Sequence, residues 1–323
     1  MNQLKICIIC VYFGKLPTCF PLWLKSCQFN PTIDFLLVTD QTINHPLADN
    51  VHVLPYTLGQ MRRRIAQIVG FEPVLERPYK CCDYRPLYSL IFKDQVQGYD
   101  YWGHCDMDMV FGDLAWFFKK YHLERYDRFQ NVGHLILMRN TPQNNERYKL
   151  PCTIGKGYTV AFQTPESFHF DEKEINEIYR AYSFPFFDER VHADIAPEFR
   201  RMKLSFIVPN AHNNHKYQTF YWQNGKIWRA YIQNNHVWRG VCTEEYAYIH
   251  FQKRKMAAPD FDVNTTNAFY ICQDHFEAKK ELQTPSYKEI YRTNPYSLLR
   301  EARDYVMLQW DRVRIKIKLL LNK

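Results

Sequence analysis

The chain opens on a nearly continuous apolar run, Leu4-Lys-Ile-Cys-Ile-Ile-Cys-Val-Tyr-Phe-Gly14, which ends at a glycine. A run of this kind predicts a strand that is buried on both faces, as in a parallel sheet. Two more apolar runs follow, Ile33 to Thr39 and Val51 to Leu54. Thr57 and Gln60 then have the spacing of a capping box that begins a helix. This alternation predicts an α/β fold, a Rossmann-like mixed sheet flanked by helices.

The composition is that of an ordered protein. The 323 residues are 46% hydrophobic and 16% aromatic, with only 11 glycines, which excludes a disordered chain. The ten cysteines follow no disulfide spacing and indicate a reducing, cytoplasmic environment. The sequence has no recognisable signal peptide and no apolar run of about 18 residues, so we expect no transmembrane helix.

A further predicted strand, Tyr99 to Cys105, runs directly into Asp106-Met107-Asp108. In open α/β sheets, ligands bind beyond the carboxyl ends of the strands. Two carboxylates at this spacing can hold Mg²⁺ or Mn²⁺, which prefer hard oxygen ligands. The alternative is a solvated turn. The motif alone therefore indicates a metal site without naming a reaction.

Three blocks make the pattern more specific. They are Tyr79-Lys80-x-x-Asp83-Tyr84-Arg85-Pro86, Gly98-Tyr-Asp-Tyr-Trp-Gly-His-Cys-Asp106-Met-Asp108-Met-Val-Phe-Gly-Asp113, and His250-Phe-Gln-Lys-Arg254. Together they resemble a family of bacterial glycosyltransferases with a GT-A type fold, found in capsule and O-antigen gene clusters. The resemblance covers roughly Ile6 to Arg254.

The resemblance implies a GT-A-like sheet and metal-dependent transfer of a sugar from a nucleotide-diphosphate donor. A UDP-sugar is the favoured donor, with UDP-galactofuranose as one candidate, because some relatives are inverting galactofuranosyltransferases. The acceptor would be a hydroxyl of a surface polysaccharide, presented as a free or lipid-linked glycan. The implied cofactor is Mn²⁺ or Mg²⁺.

Donor-binding candidates lie upstream of the metal motif. In the functional interpretation, Asp83 orders the ribose or base of the nucleotide, while Lys80 or Arg85 meets phosphate. The alternative is a surface ion pair on a helix cap. Asp40, at the end of the second strand, is a candidate for uracil or ribose, or else a turn residue. Tyr12, at the end of the first strand, would lie near the base by fold analogy.

A third metal ligand is predicted at His250, because a neutral imidazole suits a site that already holds two carboxylates. Asp108 is the candidate for direct metal contact, and Asp106 lies nearer the ribose or outside the direct ligands. Lys253 and Arg254 would then bind the diphosphate, arginine as a fork and lysine as a point charge. The alternative is a basic turn after a strand that ends in a hydrogen-bonded histidine.

An inverting transfer needs a carboxylate that deprotonates the acceptor hydroxyl. Asp188 and Glu189 are the candidates for this base, and Asp194 is a further one. The alternative role of Asp188 is the N-cap of a helix over residues 190–195.

The C-terminal part is predicted to be a helical extension, residues 261–323, on a catalytic domain of residues 1–260. From Arg300 to Lys323 there are seven basic residues and three acidic ones, which accounts for four of the eight net positive charges. This amphipathic, basic tail indicates peripheral binding to the anionic inner face of the cell membrane. The alternative is a helix that packs on the domain or on a second chain.

Two other classes of function are less consistent with the sequence. A metal-dependent nucleotidyl- or phosphotransferase would need a glycine-rich phosphate loop near the first strand, where only Gly14 stands. A nucleic-acid-binding protein would fit the net charge of +8. No known binding module is recognisable, however, and the basic excess lies in an amphipathic tail, so we expect no nucleic-acid partner.

Overall fold

The computed structural model describes residues 3–205, 214–236 and 240–321. The chain divides into two compact units. The first unit comprises Met1–Phe20, Cys27–Met107 and Leu114–Arg190, and the second comprises Pro21–Ser26, Asp108–Asp113 and Val191–Lys323. The chain therefore passes from the first unit to the second between Met107 and Asp108, inside the predicted metal motif.

Strands and helices are numbered along the chain. The strands are β1 (Ile6–Tyr12), β2 (Ile33–Thr39), β3 (Val51–Pro55), β4 (Tyr101–Cys105), β5 (Met109–Phe111), β6 (Arg128–Phe129), β7 (Leu135–Arg139), β8 (Phe186–Phe187), β9 (Ala193–Asp194), β10 (Gln218–Gln223), β11 (Lys226–Tyr231), β12 (Cys242–Tyr246), β13 (Tyr248–His250), β14 (Ala268–Ile271) and β15 (Phe276–Ala278). The α-helices are α1 (Phe20–Gln28), α2 (Leu58–Val69), α3 (Tyr88–Ile91), α4 (Leu114–Lys120), α5 (Pro142–Asn145), α6 (Gly157–Gln163), α7 (Lys173–Ala181), α8 (Tyr287–Thr293) and α9 (Leu298–Leu321).

The first unit is built on a seven-stranded sheet with the order β3-β2-β1-β4-β7-β6-β8. β1 is parallel to β2 and β4, whereas β7 is antiparallel to β4 and β6. This mixed sheet with its flanking helices confirms the predicted fold class. The parallel pairs bring the carboxyl ends of β1, β2 and β4 to one edge of the sheet, at Tyr12, Thr39 and Cys105.

Helix α2 forms as its sequence predicts. The Thr57 side chain accepts a hydrogen bond from the backbone N–H of Gln60, and the reciprocal bond of the capping box is also present. Gly70 ends the helix in the left-handed conformation, with φ of 78°. Met61 and Ile65 point into the main core of the first unit, and burying each stabilises the fold by roughly 1.5–3 kcal/mol.

The segment before β4 differs from the prediction. The sequence predicts a helix from Pro86 to Gln95, but the structure has a 3₁₀ helix, Pro78–Leu87, followed by the single turn of α3. Pro86 lies inside the 3₁₀ helix. Its ring and its missing N–H disfavour an α-helix that runs through residues 78–91, although proline is tolerated in the first turn of such a helix. The 3₁₀ helix carries Lys80, Asp83 and Arg85, so its geometry sets the positions of these side chains.

The second unit contains two sheets. A five-stranded antiparallel sheet has the order β12-β11-β10-β14-β15. Its β10–β11 hairpin turns at Asn224-Gly225, a dipeptide typical of two-residue hairpin turns, and both residues have positive φ. A three-stranded sheet has the order β5-β13-β9, in which β13 is antiparallel to β5 and parallel to β9. This small sheet therefore joins three segments that are far apart in sequence.

Residues 261–323 form two strands as well as the predicted helices. β14 and β15 lie in this segment, and β14 pairs with β10 in the five-stranded sheet. The predicted boundary at residue 260 therefore falls inside the second unit, because strand pairing joins the two sides of it. The predicted helices follow as α8 and α9. No helix within the described residues combines the length and apolarity needed to cross a bilayer.

Candidate functional site

The metal motif lies at the carboxyl end of β4, as the sequence predicts. Cys105 ends the strand, Asp106 follows it, and β5 begins at Met109. Asp106 belongs to the first unit and Asp108 to the second. Only the buried Met107 separates them, so the two Cα atoms lie at most about 7 Å apart.

In the second unit, Asp108 meets His250. Residue Met109 of β5 pairs with His250 of β13, and the N–H of Phe251 donates to the carbonyl oxygen of Asp108 at 2.9 Å. This pairing brings the side chains together, with His250 Nε2 3.4 Å from Asp108 Oδ1. The imidazole is buried, whereas Asp108 is about one-third exposed. The predicted partnership of Asp108 and His250 is therefore present in the strand register.

The other ring nitrogen of His250 contacts Asp194. Nδ1 lies 2.9 Å from Asp194 Oδ1, because His250 and Asp194 are paired residues of β13 and β9. Gln252 donates from Nε2 to the second oxygen of Asp194 at 2.7 Å, from a left-handed backbone with φ of 53°. Asp194 thereby fixes the ring orientation and directs Nε2 towards Asp108. We call the row Asp108–His250–Asp194 the carboxylate–imidazole relay.

The relay raises the proton affinity of its imidazole. Burial alone would lower the pKa of His250, but the carboxylates of Asp108 and Asp194 outweigh burial and raise this pKa to about 10. A buried imidazole held between two carboxylates suits a cation at Nε2, either a proton or a metal ion, and the two compete for that atom.

The donor atoms of the relay fit a divalent metal ion. Adjacent ligands of an octahedral ion at about 2.1 Å are roughly 3 Å apart, close to the separation of Nε2 and Asp108 Oδ1. Metal-binding histidines commonly hydrogen-bond a carboxylate through the other ring nitrogen, as His250 does with Asp194. Nitrogen and carboxylate oxygen together suit Mn²⁺ and tolerate Mg²⁺. Asp106, two residues before Asp108 in the sequence, is a second carboxylate.

In the first unit, Arg85 holds Asp106. The guanidinium forms an ion pair with Asp106, another with Asp171 at 2.9 Å, and a hydrogen bond to the carbonyl oxygen of Gly133 at 2.9 Å. Asp171 is buried and Asp106 is about one-quarter exposed. Burial would lower the pKa of Arg85, but Asp106 and Asp171 raise it well above its usual value. Arg85 therefore fixes the carboxylate of Asp106 rather than standing ready as a lone phosphate ligand.

Glu172 completes this group, and the sequence did not single it out. Its Oε1 accepts from the N–H of Gly133 at 2.7 Å, and burial followed by the charge of Asp171 raises its pKa. A Cβ on Gly133 would lie 2.6 Å from both Asp171 Oδ2 and Glu172 Oε1, so only glycine fits between them. The adjacent acidic residues Asp171 and Glu172 can be seen in the sequence, but only the folded chain brings them close to Arg85.

Lys80 and Asp83 have a different role from the predicted one. They form a fully buried ion pair at 2.7 Å, neither a donor-binding pair nor the surface pair of the alternative. Lys80 also donates to the carbonyl oxygens of Ala161 and Glu166, which uses all three of its N–H groups. Asp83 accepts from the N–H groups of Phe168 and Phe170. The pair thus fastens the 3₁₀ helix to the segment after α6.

Asp40 and Tyr12 lie where the sequence predicts them, at the carboxyl edge of the first unit's sheet. Asp40 is exposed and accepts from Gln41 Nε2 and the N–H of Gly14, each at 2.9 Å. These two hydrogen bonds lower the pKa of its carboxyl, that from Gln41 more strongly. Asp40 ties the ends of β1 and β2 together and leaves exposed carboxylate surface at this edge.

The predicted bases lie in a surface segment of the first unit. Asp188 and Glu189 are exposed, and Asp188 pairs with Arg180 at 3.0 Å. The alternative reading of Asp188 as an N-cap is wrong, because residues 190–195 contain β9 rather than a helix. Asp194, the further candidate, is instead the partner of His250.

Arg254 does not have the predicted role of a diphosphate ligand. Its Nη1 donates to the carbonyl oxygens of Arg200 and Gln273, and its Nη2 to those of Ala196 and Phe199. All four terminal N–H groups are therefore used within the second unit, and burial lowers its pKa to about 10. Lys253 is exposed next to it.

A cavity of about 520 Å³ lies away from these residues. It is at the amino ends of β1 and β2, and its lining includes Lys5, Asp34 and Tyr99. The hydroxyl of Tyr99 donates to Asp34 at 2.8 Å. None of the predicted site residues lines it, and it lies at the opposite ends of β1 and β2 from Tyr12 and Asp40.

Comparisons with known proteins found a matching family model and similar solved structures. Residues 8–280 match the model of a family described as "Family of unknown function (DUF6625)". No curated protein matches the chain. The fold is similar to the crystal structure of the galactosyltransferase LgtC in complex with donor and acceptor sugar analogues, at 7% identity and a TM-score of 0.39. That match covers 59% of this chain and 76% of the other.

Proposed function

This chain belongs to the family of unknown function DUF6625, and we propose that it is a metal-dependent glycosyltransferase. The proposed reaction moves a sugar from a nucleotide-diphosphate donor, with a UDP-sugar favoured and UDP-galactofuranose as one candidate, to a hydroxyl acceptor. The proposed acceptor is a surface polysaccharide or its lipid-linked precursor, which agrees with the three sequence blocks around Arg85, Asp108 and His250.

The single observation that carries the proposal is the carboxylate–imidazole relay. It supplies one carboxylate oxygen and one oriented imidazole nitrogen, at the residue where the chain leaves β4 and the first unit. A relay built only for stability would gain little from leaving Asp108 one-third exposed. An exposed carboxylate beside a buried, oriented imidazole is what a ligand-accepting metal site requires.

Asp108 and His250 would hold Mn²⁺ or Mg²⁺, and Asp106, two residues before Asp108, remains the further ligand candidate from the sequence. When bound, the cation supplies Lewis-acid stabilisation of the charge that develops on the departing nucleoside diphosphate. Arg85 holds the Asp106 carboxylate in one place, and Asp194 holds the proton of His250 on Nδ1, which leaves the Nε2 lone pair for the cation. Both arrangements are set before substrate binds, so little reorganisation is needed.

The acceptor hydroxyl needs a base in an inverting reaction. Asp188 and Glu189 remain the candidates from the sequence. Glu172 is a third candidate that the structure adds. It is partly buried beside Arg85, and its raised pKa makes it a better proton acceptor than an exposed carboxylate.

A thermal-shift screen tests the proposal. The protein is heated with UDP, GDP and UDP-sugars, each with and without Mn²⁺. Nucleotide and metal together should raise the melting temperature by about 5 °C at 100 times the dissociation constant. Asp108→Asn should abolish the metal-dependent part of this shift.

Asp274→Asn is the matched control. Asp274 also lies beside an imidazole, at 2.8 Å from His275 Nδ1, but both side chains are largely exposed. This variant should retain the full shift. If Asp108→Asn and wild type respond equally and transfer sugar equally, the proposed metal site is wrong. Stabilisation by a nucleoside triphosphate with pyrophosphate release, but no sugar transfer, would instead identify a nucleotidyltransferase.

A further inference from the structure

Helix α9 exposes an unusual amount of apolar surface. Leu299 is 84% exposed, Trp310 is 60%, Val306 is 52% and Val313 is 46%. At 100° per residue, these four side chains fall within about 60° of one another around the helix axis. We call them the apolar stripe. Isolated exposed apolar side chains need no explanation, but a stripe along four turns of helix does.

The opposite face of α9 is held by the protein itself. Glu301 pairs with Arg201 and, at 3.2 Å, with Lys203, while Asp304 accepts from the backbone N–H of Arg200 at 2.9 Å. By helical geometry, Glu301 and Asp304 lie roughly 150° or more from the centre of the stripe. These contacts, all within the second unit, fix the rotation of the helix. The acidic side faces the protein, and the apolar stripe faces away from it.

The charge around the stripe selects its partner. Arg300 and Arg303 are exposed on one flank of the stripe, about 110° and 50° from its centre around the helix axis. The tail from Arg300 to Lys323 has seven basic residues, and of its three acidic residues Glu301 and Asp304 are occupied by contacts with the second unit. Two copies of such a helix would repel each other. An apolar stripe bordered by basic residues instead complements a surface of anionic headgroups over acyl chains.

We propose that α9 is a peripheral membrane anchor for anionic lipid bilayers, with the apolar stripe in the headgroup–acyl boundary and the arginines among the headgroups. The anchor is independent of the proposed reaction. It would keep the chain at the inner face of a membrane. Glu301 and Asp304 act as the positioning residues that present the stripe outward.

Vesicle sedimentation tests the anchor with the full chain. The protein should bind vesicles of phosphatidylglycerol and phosphatidylcholine, bind phosphatidylcholine alone much more weakly, and dissociate as salt is raised. The double variant Arg300→Gln/Arg303→Gln should lose about thirtyfold in affinity. The matched control Lys280→Gln/Lys288→Gln removes the same charge from other exposed sites of the second unit and should bind nearly as wild type does.

A second pair of variants tests the apolar part. Trp310→Ser should weaken binding to anionic vesicles at least tenfold, whereas Leu282→Ser, at a site that is 53% exposed elsewhere in the second unit, should leave it unchanged. All these positions are exposed, so the melting temperatures should match wild type.

Three results would overturn the anchor. The first is equal binding to neutral and anionic vesicles, or no binding to either. The second is an equal loss of binding in the two charge-neutralised double variants. The third is a dimer in light scattering that Trp310→Ser dissociates, since this would assign the stripe to a second copy of the chain.

Discussion

Substitution of Asp194 by asparagine perturbs the relay without changing its shape. Asp194 accepts two hydrogen bonds, from His250 Nδ1 at 2.9 Å and from Gln252 Nε2 at 2.7 Å. Asparagine has only one acceptor oxygen, and its amide nitrogen is a donor. It therefore cannot accept from both neighbours, and where its NH₂ faces the ring, the proton of His250 moves to Nε2. In that tautomer Nε2 has no lone pair for a metal ion, and the remaining lone pair lies on Nδ1, which faces residue 194.

The expected magnitude follows from the proposed role of His250 as a metal ligand, with Asp194 as its hydrogen-bond partner. Loss of such a partner lowers metal affinity by about 10- to 100-fold, which corresponds to about 1.4–2.7 kcal/mol. Loss of Asp108, the proposed direct ligand, should lower metal affinity more than loss of Asp194. The order of effects, Asp108→Asn greater than Asp194→Asn, is therefore part of the prediction.

Isothermal titration of the metal-free protein with Mn²⁺ measures the effect. Wild type, Asp108→Asn, Asp194→Asn and Asp274→Asn are compared at one pH and one salt concentration, and circular dichroism establishes that each variant is folded. Asp274→Asn should bind Mn²⁺ as wild type does, because it removes an exposed carboxylate–imidazole contact.

Wild-type Mn²⁺ affinity in folded Asp194→Asn would contradict the prediction, since Nε2 would then not depend on the Asp194 contact. A second contradicting result is a wild type that binds no Mn²⁺ together with a variant that loses several kcal/mol of stability. The relay would in that case be a structural ion pair around a protonated imidazole.

Three further predictions concern stability and are checked by urea unfolding. Gly133→Ala should lower the free energy of unfolding by about 1–3 kcal/mol, because its Cβ would lie 2.6 Å from two carboxylate oxygens. Gly59→Ala in α2 is the control, and it should not destabilise the protein because the nearest atom to its Cβ lies at 3.7 Å. Equal effects of the two substitutions would contradict this prediction. Lys80→Met should lower the free energy of unfolding by about 3–5 kcal/mol, because it leaves Asp83 buried without its ion-pair partner. Arg62→Met, which removes one partner of an exposed ion pair, should lower it by only about 0–1 kcal/mol. Similar losses in the two variants would refute the buried pairing. Burial, and next the charge of Arg229, lowers the pKa of His215 from 6.5 to about 4. As pH falls, the unfolded chain therefore binds a proton at this histidine before the folded chain does. The free energy of unfolding should accordingly decrease between pH 6.5 and about pH 4. His215→Gln should flatten that part of the pH profile, and an unchanged slope would show that other groups cause it.

Local signals in the sequence were sufficient for much of the fold. Thr57 with Gln60 and Asn224 with Gly225 each specify a structure through neighbours within three residues. The buried strands of the first unit were likewise visible as apolar runs. Such features depend on backbone geometry close to the residue, so they can be read without knowing the rest of the chain.

The site was only partly predictable, because its partners are distant in sequence. The contact between Asp194 and His250 joins residues 56 positions apart through two short strands. The spacing of Lys80 and Asp83 suggested an ion pair, but its burial depends on the segment after α6. The sequence predicted the positive charge of Arg254 correctly but not its partners, because a guanidinium donates to carbonyl oxygens as readily as to phosphates.

The four carbonyl contacts of Arg254 act as non-covalent crosslinks within the second unit. Three of them join the turn after β13 to Ala196, Phe199 and Arg200, only two to six residues beyond Asp194, and the fourth joins it to Gln273. Local opening of that stretch must break several of these hydrogen bonds together, so its amide protons should exchange with β13 as one cooperative block. Arg254, which contacts neither Asp108 nor His250 through these hydrogen bonds, thereby limits how often Asp194 separates from His250, and hence how long the imidazole keeps its orientation.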